Sequence, residues 1–143
     1  MTYRHKAHTL LSGLALGAAI SVGPIQAQDS YPPLEVLLQS QTTVIGQPFS
    51  YPDGAAEVTV AIVTMKPGET TAWHLHEAPL IAHILEGEIT LDYGSDGTRT
   101  FGAGDTFVEA FQSRHRGTNS GNDILRILAV FAGAVGTANT VLE

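Results

Sequence analysis

The chain contains no cysteine, and this absence excludes several kinds of cross-link and site. Disulfides cannot stabilise the fold, so the apolar core, alone or together with a bound metal ion, must do so. Without thiolates, zinc-finger, iron–sulfur and blue-copper sites are also excluded. Any metal ion bound by this chain must therefore be held by imidazole, carboxylate or water.

Basic residues are also scarce. The 143 residues include seven Lys and Arg against fourteen Asp and Glu, which gives a formal net charge of −7 at pH 7. Nucleic acid carries the same sign of charge as such a chain, and its binding normally requires a basic surface. A nucleic-acid partner is therefore disfavoured.

Long apolar runs are absent except near the N-terminus, where Leu10–Val22 is interrupted by Ser and Gly and falls short of the ~20 residues that a membrane span needs. Arg4 and Lys6 precede this run, and a small residue, Ala27, follows it. This pattern predicts a secretory signal peptide over residues 1–27. The mature chain would have five basic and fourteen acidic residues, a net charge of −9. We expect it to be exported, either periplasmic or secreted, with no membrane span.

Residues 28–56 are rich in Pro, Gln, Ser and Gly. Pro32-Pro33 and Tyr51-Pro52-Asp53-Gly54 indicate extended or turning backbone. The composition predicts an irregular N-terminal arm, followed by one folded domain over residues 57–143. The arm could close one end of its own domain or join a second copy in a homodimer, and the sequence leaves both open.

Short apolar runs separated by turn residues fill the remainder of the chain, and none sustains a helical period over ~10 residues. Glu86-Gly87-Glu88 separates two of these runs and predicts a hairpin. The close, even spacing indicates an all-β domain, a single antiparallel sandwich or barrel. The predicted strands are 57–65, 70–76, 81–85, 89–93, 98–101, 106–111, 114–119 and 124–132.

His74 and His76 are separated by one residue in a predicted strand. Side chains at i and i+2 of a strand project from the same face, so both imidazoles can converge on one ion at about 2.0–2.1 Å. The spacing by itself also fits two partly exposed strand histidines. The pair therefore predicts a divalent metal site on the sheet, and the surrounding residues decide between the two interpretations.

The residues around this pair resemble the two sequence motifs of the cupin superfamily. The first motif, a Gly followed by His-x-His, Glu and Gly, is matched by Gly68, His74, His76 and Gly87. The second motif is matched by Gly104, Asp105, His115 and Asn119. The resemblance covers roughly residues 57–131 and is closest to small exported single-domain cupins. It implies a jelly-roll β-barrel with one divalent metal ion, such as Fe, Mn, Zn or Ni.

The chain departs from the cupin motifs at three positions. Leu80 stands where the family has a metal-binding Glu, and Ala110 and Gln112 replace the Pro and Gly of the second motif. The ligand set that the resemblance implies is therefore His74, His76 and His115. Three neutral imidazoles leave a divalent ion with a charge near +2, so we expect the site to favour anionic ligands.

Three further residues are candidates around this site. His83 could be a fourth ligand only if a bulge turned it inward, because strand alternation from Leu80 places it on the opposite face. Glu109 is predicted to orient a histidine from outside the ligand set, as carboxylates at metal sites commonly do. Asn119 is predicted to lie near the metal ligands, because it occupies a position of the second motif.

Two classes of function fit this sequence. An open metal site in a barrel could act on a small organic molecule, by dioxygenation with iron or by Lewis-acid chemistry such as isomerisation or decarboxylation with other metals. The alternative is a non-catalytic module that binds a metal or small ligand, or a structural barrel with a vestigial site. The sequence identifies no catalytic acid or base.

Overall fold

Alternation of apolar and polar side chains produces nine strands in the part of the chain that the computed structural model describes, residues 32–143. The signal-peptide prediction lies outside these residues. The all-β class is confirmed, with one short 3-10 turn at Gly94–Asp96. The strands are β1 (Ala56–Met65), β2 (His74–Leu75), β3 (Leu80–Glu86), β4 (Glu88–Asp92), β5 (Thr98–Gly102), β6 (Thr106–Val108), β7 (Arg116–Asn119), β8 (Leu125–Ala134) and β9 (Val141–Leu142).

Two antiparallel sheets enclose the core. One has the strand order β1-β8-β3-β6, the other the order β5-β4-β7, and β2 and β9 form a separate pair. Because successive strand residues point to opposite faces, each long strand directs every second side chain inward. The core accordingly combines Met65, Ile84 and Ile127 from the first sheet with Ile89 and Leu91 from the second.

The hairpin predicted around Gly87 is wrong. β3 and β4 follow one another in sequence, but β3 pairs with β6 and β8, whereas β4 pairs with β5 and β7. Gly87 has a φ of 80°, and a Cβ there would lie 2.8 Å from the carbonyl oxygen of Ile124. The residue therefore turns the chain from one sheet to the other against a neighbouring backbone. The hairpin in this region is β4–β5, closed by the 3-10 turn at Gly94–Asp96.

The predicted strand over residues 70–76 is mostly irregular. Only β2 is regular there, and single antiparallel bridges join Thr70 to Thr118 and His74 to His115. The C-terminal strand β9, which the sequence did not predict, pairs with β2. The C-terminal segment therefore lies beside the histidine pair.

The described part of the arm before β1, residues 32–55, is irregular apart from a bridge between Thr42 and Pro48. The backbone N–H of Val44 donates to the carbonyl of Val108 at 2.9 Å, and Val44 and Ile45 pack against the core. This part of the arm covers its own barrel, and a role in a homodimer stays a prediction. Across residues 32–143, no helix has the length and apolar character needed to cross a membrane.

Candidate metal centre

Three histidines meet at one end of the β2–β9 pair. His74 begins β2, His76 follows it, and His115 immediately precedes β7. The backbones of His74 and His115 exchange two hydrogen bonds of 2.9 Å, which fixes the two loops side by side. One ring nitrogen from each of the three residues lies within 4.8 Å of the other two. His76 and His115 are buried, and His74 is half-buried.

The hydrogen bonds of the three imidazoles fix which nitrogen faces the site. Each Nδ1 lies against a backbone carbonyl, and because a carbonyl only accepts, each Nδ1 carries the hydrogen. The acceptors for His74, His76 and His115 are the carbonyls of Ala72, Asn139 and Ser113, at 2.8, 2.8 and 2.9 Å. Each Nε2 therefore presents a lone pair, which is the arrangement that histidine ligands use.

The protonation state of these imidazoles also suits metal binding. Burial lowers the pKa of His74 and His115, and it lowers the pKa of His76 to about 3. The hydrogen bonds from Nδ1 to carbonyl oxygens raise the pKa values and so oppose the effect of burial. The neighbouring His115 and His74 lower the pKa of His76 further. At neutral pH the three rings are neutral, which is the form that binds a metal ion.

The histidines open into a cavity of about 270 Å³ between the two sheets. Leu80, at the position of the family Glu, is buried and lines this cavity, so the position faces the site but contributes no donor. Most of the other lining residues are aliphatic or aromatic, among them Val63, Met65, Ala82, Ile89, Leu91, Phe107, Ile127, Ala129 and Phe131. The space admits a small molecule with an apolar body.

Glu109 places a buried carboxylate in the same cavity. Its Oε1 accepts hydrogen bonds from the Tyr93 hydroxyl at 2.6 Å and from the N–H of Ala110 at 2.7 Å. Its Oε2 lies 3.7 Å from Nε2 of His115. Burial raises the pKa of Glu109 to about 7, against the opposing effect of these two donors. The carboxylate faces the Nε2 of His115, whereas the predicted orienting role would place it at Nδ1, which is bonded to Ser113.

Sequence reasoning missed Tyr93 and the C-terminal segment. Tyr93 continues the alternation of Ile89 and Leu91, whose side chains point inward. This alternation was the signal that could have placed the Tyr93 side chain in the core. Thr140 and Leu142 line the cavity. Nothing in the sequence near these two residues indicates that contact.

His83 and Asn119 lie apart from the three histidines. His83 is on the opposite face of β3, where its Nδ1 contacts Thr106 Oγ1 at 2.7 Å. The amide nitrogen of Asn119 donates to the carbonyls of Met65 and Asp123, at 3.0 and 2.8 Å. Asn119 therefore ties the end of β1 to the loop between β7 and β8.

Comparison with known proteins gives a family match for about half of the chain. Residues 61–131 match a family model described as "Cupin domain". No curated protein matches the chain.

Solved structures share the fold. A protein with a double-stranded β-helix domain from Klebsiella pneumoniae aligns at 24% identity and a TM-score of 0.51, covering 60% of this chain and 70% of its own. An oxalate decarboxylase from Lactobacillus farciminis aligns at 24% identity and a TM-score of 0.51, covering 59% of this chain and 26% of its own. A DMSP lyase from Ruegeria pomeroyi aligns at 26% identity and a TM-score of 0.51, covering 60% of this chain and 43% of its own. The aligned region is thus less than half of either enzyme chain.

Proposed function

Residues 61–131 of this chain form a cupin domain, and on that premise we propose that the protein binds one divalent metal ion and, with it, a small organic molecule. The metal ligands are His74, His76 and His115. The observation that carries the proposal is the set of three carbonyl acceptors at Nδ1, which leave three Nε2 lone pairs facing a common point.

The cavity supports the proposed ligand class. Its volume of about 270 Å³ suits a small molecule, and its largely apolar lining provides few polar partners besides the histidines and Glu109. The R. pomeroyi protein that shares the fold is named as a lyase of the small molecule DMSP. A bound iron ion would supply dioxygen chemistry, and zinc, nickel or manganese would supply Lewis acidity.

The ligand is expected to carry an anionic group, such as a carboxylate. A divalent ion held only by neutral imidazoles keeps its full charge, and that charge dominates a poorly solvated site. Calorimetric titration of the metal-loaded protein with acetate measures this preference. Heats identical to those of the metal-free protein would contradict it.

Metal analysis of the purified protein tests the site itself. We expect about one equivalent of divalent metal per chain, and we expect His74→Ala and His115→Ala each to abolish it, because each removes one of three ligands. His83→Ala is the matched control, since His83 lies on the opposite face of β3 and should leave the occupancy unchanged. Unchanged occupancy in either ligand variant would contradict the proposed site.

Oxygen consumption by the iron-loaded protein separates the two classes of function. Turnover with a small carboxylate would indicate a dioxygenase. Binding of the same compound without turnover, with any of the four metals, would favour the non-catalytic alternative.

A homodimer also stays a proposal. Its supporting feature is the exposed apolar side chains on one face of β1, Val58, Val60 and Ile62. Sedimentation velocity measures the oligomeric state.

A further inference from the structure

Residues 137–143, called the strap below, supply the hydrogen-bond acceptor of one histidine from far away in the sequence. Nδ1 of His76 donates to the carbonyl of Asn139 at 2.8 Å, across 63 positions of the chain. For His74 and His115 the acceptor is instead the carbonyl two residues earlier in the same loop. The orientation of His76 therefore depends on the strap, whereas the other two imidazoles are oriented by their own loops.

The strap also forms part of the wall of the cavity. Thr140 and Leu142 both line it, and the pairing of β9 with β2 places Leu142 opposite His74. The Leu142 side chain is nevertheless 70% exposed. The strap therefore stands between the histidines and solvent, and its position affects how a ligand reaches them.

Few contacts attach the strap to the barrel, and most of them are polar. None of residues 135–143 is buried. The N–H of Ala138 donates to Glu77 Oε2 at 3.2 Å, and Arg114 Nε pairs with Glu143 Oε2 at 2.6 Å. Glu77 and Arg114 each adjoin a histidine of the site in sequence. Exposed ion pairs contribute little, and segments with few buried apolar contacts open at a lower free energy than the core.

We propose that the strap closes over the cavity and that its attachment is coupled to metal binding through His76. While the strap is attached, the Asn139 carbonyl holds the hydrogen at Nδ1 and leaves the Nε2 lone pair for the metal. When the strap detaches, Nδ1 loses this acceptor, and the neutral ring is free to carry its hydrogen at either nitrogen. Coupling is reciprocal, so a bound metal ion must also hold the strap in place. This inference rests on the proposed metal site.

Hydrogen exchange of the wild-type protein, with and without saturating Co²⁺, tests the coupling without any variant. We expect the amides of residues 137–143 to exchange about tenfold or more slowly when Co²⁺ is bound, because the metal favours the attached strap. Residues 120–123 provide the internal control. They contact Glu88 beyond the opposite end of β3 and should exchange at the same rate in both states. Equal exchange of the strap with and without Co²⁺ would overturn the inference.

The ion pair between Arg114 and Glu143 can be tested in the metal-free protein. Glu143→Gln should raise the exchange rate of the strap by about two- to fivefold, as loss of an exposed ion pair does. Glu86→Gln is the matched control, because it removes the other exposed pair with arginine, to Arg126 at 3.2 Å, and leaves the strap untouched. An equal effect of the two variants on the strap would contradict its attachment through Glu143.

Deletion of residues 138–143 tests the positioning of His76. Long-range ¹H–¹⁵N NMR spectra of the metal-free protein at pH 8 distinguish a hydrogen at Nδ1 from one at Nε2. We expect the deletion to shift His76 away from the Nδ1–H form and to leave His74 and His115 in it. Co²⁺ binding should weaken by about tenfold or more, by the same factor as the exchange measurement gives.

Glu86→Gln should keep both the wild-type tautomer of His76 and the wild-type affinity for Co²⁺. A deletion variant that binds Co²⁺ as tightly as the wild type, with His76 still in the Nδ1–H form, would overturn the inference and leave the three-histidine site intact. If the deletion variant does not fold, hydrogen exchange of the wild type decides. If the wild-type protein binds no Co²⁺, the proposed function itself fails.

Discussion

At the scale of single residues, Glu109 should make the stability of the metal-free protein depend on pH. Burial raises its pKa from the ordinary 4.5 to about 7. Between these values the folded protein binds the proton more tightly than the unfolded chain, so the free energy of unfolding falls as pH rises through this window. Relative to Glu109→Gln, which stays neutral, the wild type should lose on the order of 3 kcal/mol between pH 4.5 and pH 7.

Urea denaturation in the presence of a chelator, at pH 4.5, 6 and 8, measures this difference. The histidines contribute an opposite slope, because their pKa values are lowered by burial, but they are present in both proteins and largely cancel. Glu88→Gln serves as the control at an exposed site and should follow the wild type. A stability difference between wild type and Glu109→Gln that stays constant with pH would contradict the prediction.

The sequence predicted which histidines meet, but it did not predict the orientation of Glu109. Strand alternation places His74 and His76 on one face, because it is a local property, and the resemblance to the second cupin motif adds His115. The carboxylate is held by Tyr93 and by its own neighbour Ala110. Tyr93 lies sixteen residues away, directly after β4 of the other sheet, so no local pattern indicates the contact.

At the scale of strands and turns, Gly87 should tolerate no side chain without a loss of stability. Its φ of 80° is strained for any residue with a side chain, and an added Cβ would lie 2.8 Å from the Ile124 oxygen and 2.9 Å from Leu125 Cα. Left-handed backbone costs an L-residue about 1–2 kcal/mol, and the clash with backbone atoms adds to this. We expect Gly87→Ala to destabilise the protein by more than about 2 kcal/mol in thermal or urea unfolding.

Gly104→Ala separates the two contributions. Gly104 has a φ of 94°, and its Cβ would meet no atom within 4 Å. This variant should therefore show only the backbone strain of about 1–2 kcal/mol. Equal losses in the two variants would show that the close approach at Gly87 contributes nothing.

Strand positions follow from sequence more readily than strand partners do. The predicted run 57–65 agrees with β1 to within one residue, because alternation within a strand is a local property. Pairing is decided by the twist and closure of the whole barrel, so the turn at Gly87 joins two sheets although it reads as a hairpin. β2 and β9 have two residues each, too few to give a periodic signal.

At the scale of the whole molecule, the predicted signal peptide and the folded domain should be separable. The nine strands and the three histidines all lie within residues 35–143, which form one compact unit. Residues 28–143 alone should therefore unfold at the same urea concentration as the full chain and bind the same equivalent of metal. A lower midpoint would show that residues 1–27 contribute to the fold.

Export of the full chain in a bacterial host tests the other half of this expectation. Cleavage after Ala27 would give an exported protein that begins at Gln28, because a small residue after the apolar run is the feature that marks a cleavage site. The intact mass of the protein recovered from the periplasm measures this. Leu14→Arg, which places a charge within the apolar run, should keep the chain uncleaved in the cytoplasm. An exported protein that retains residues 1–27 would contradict the signal peptide and favour an N-terminal segment that stays with the domain.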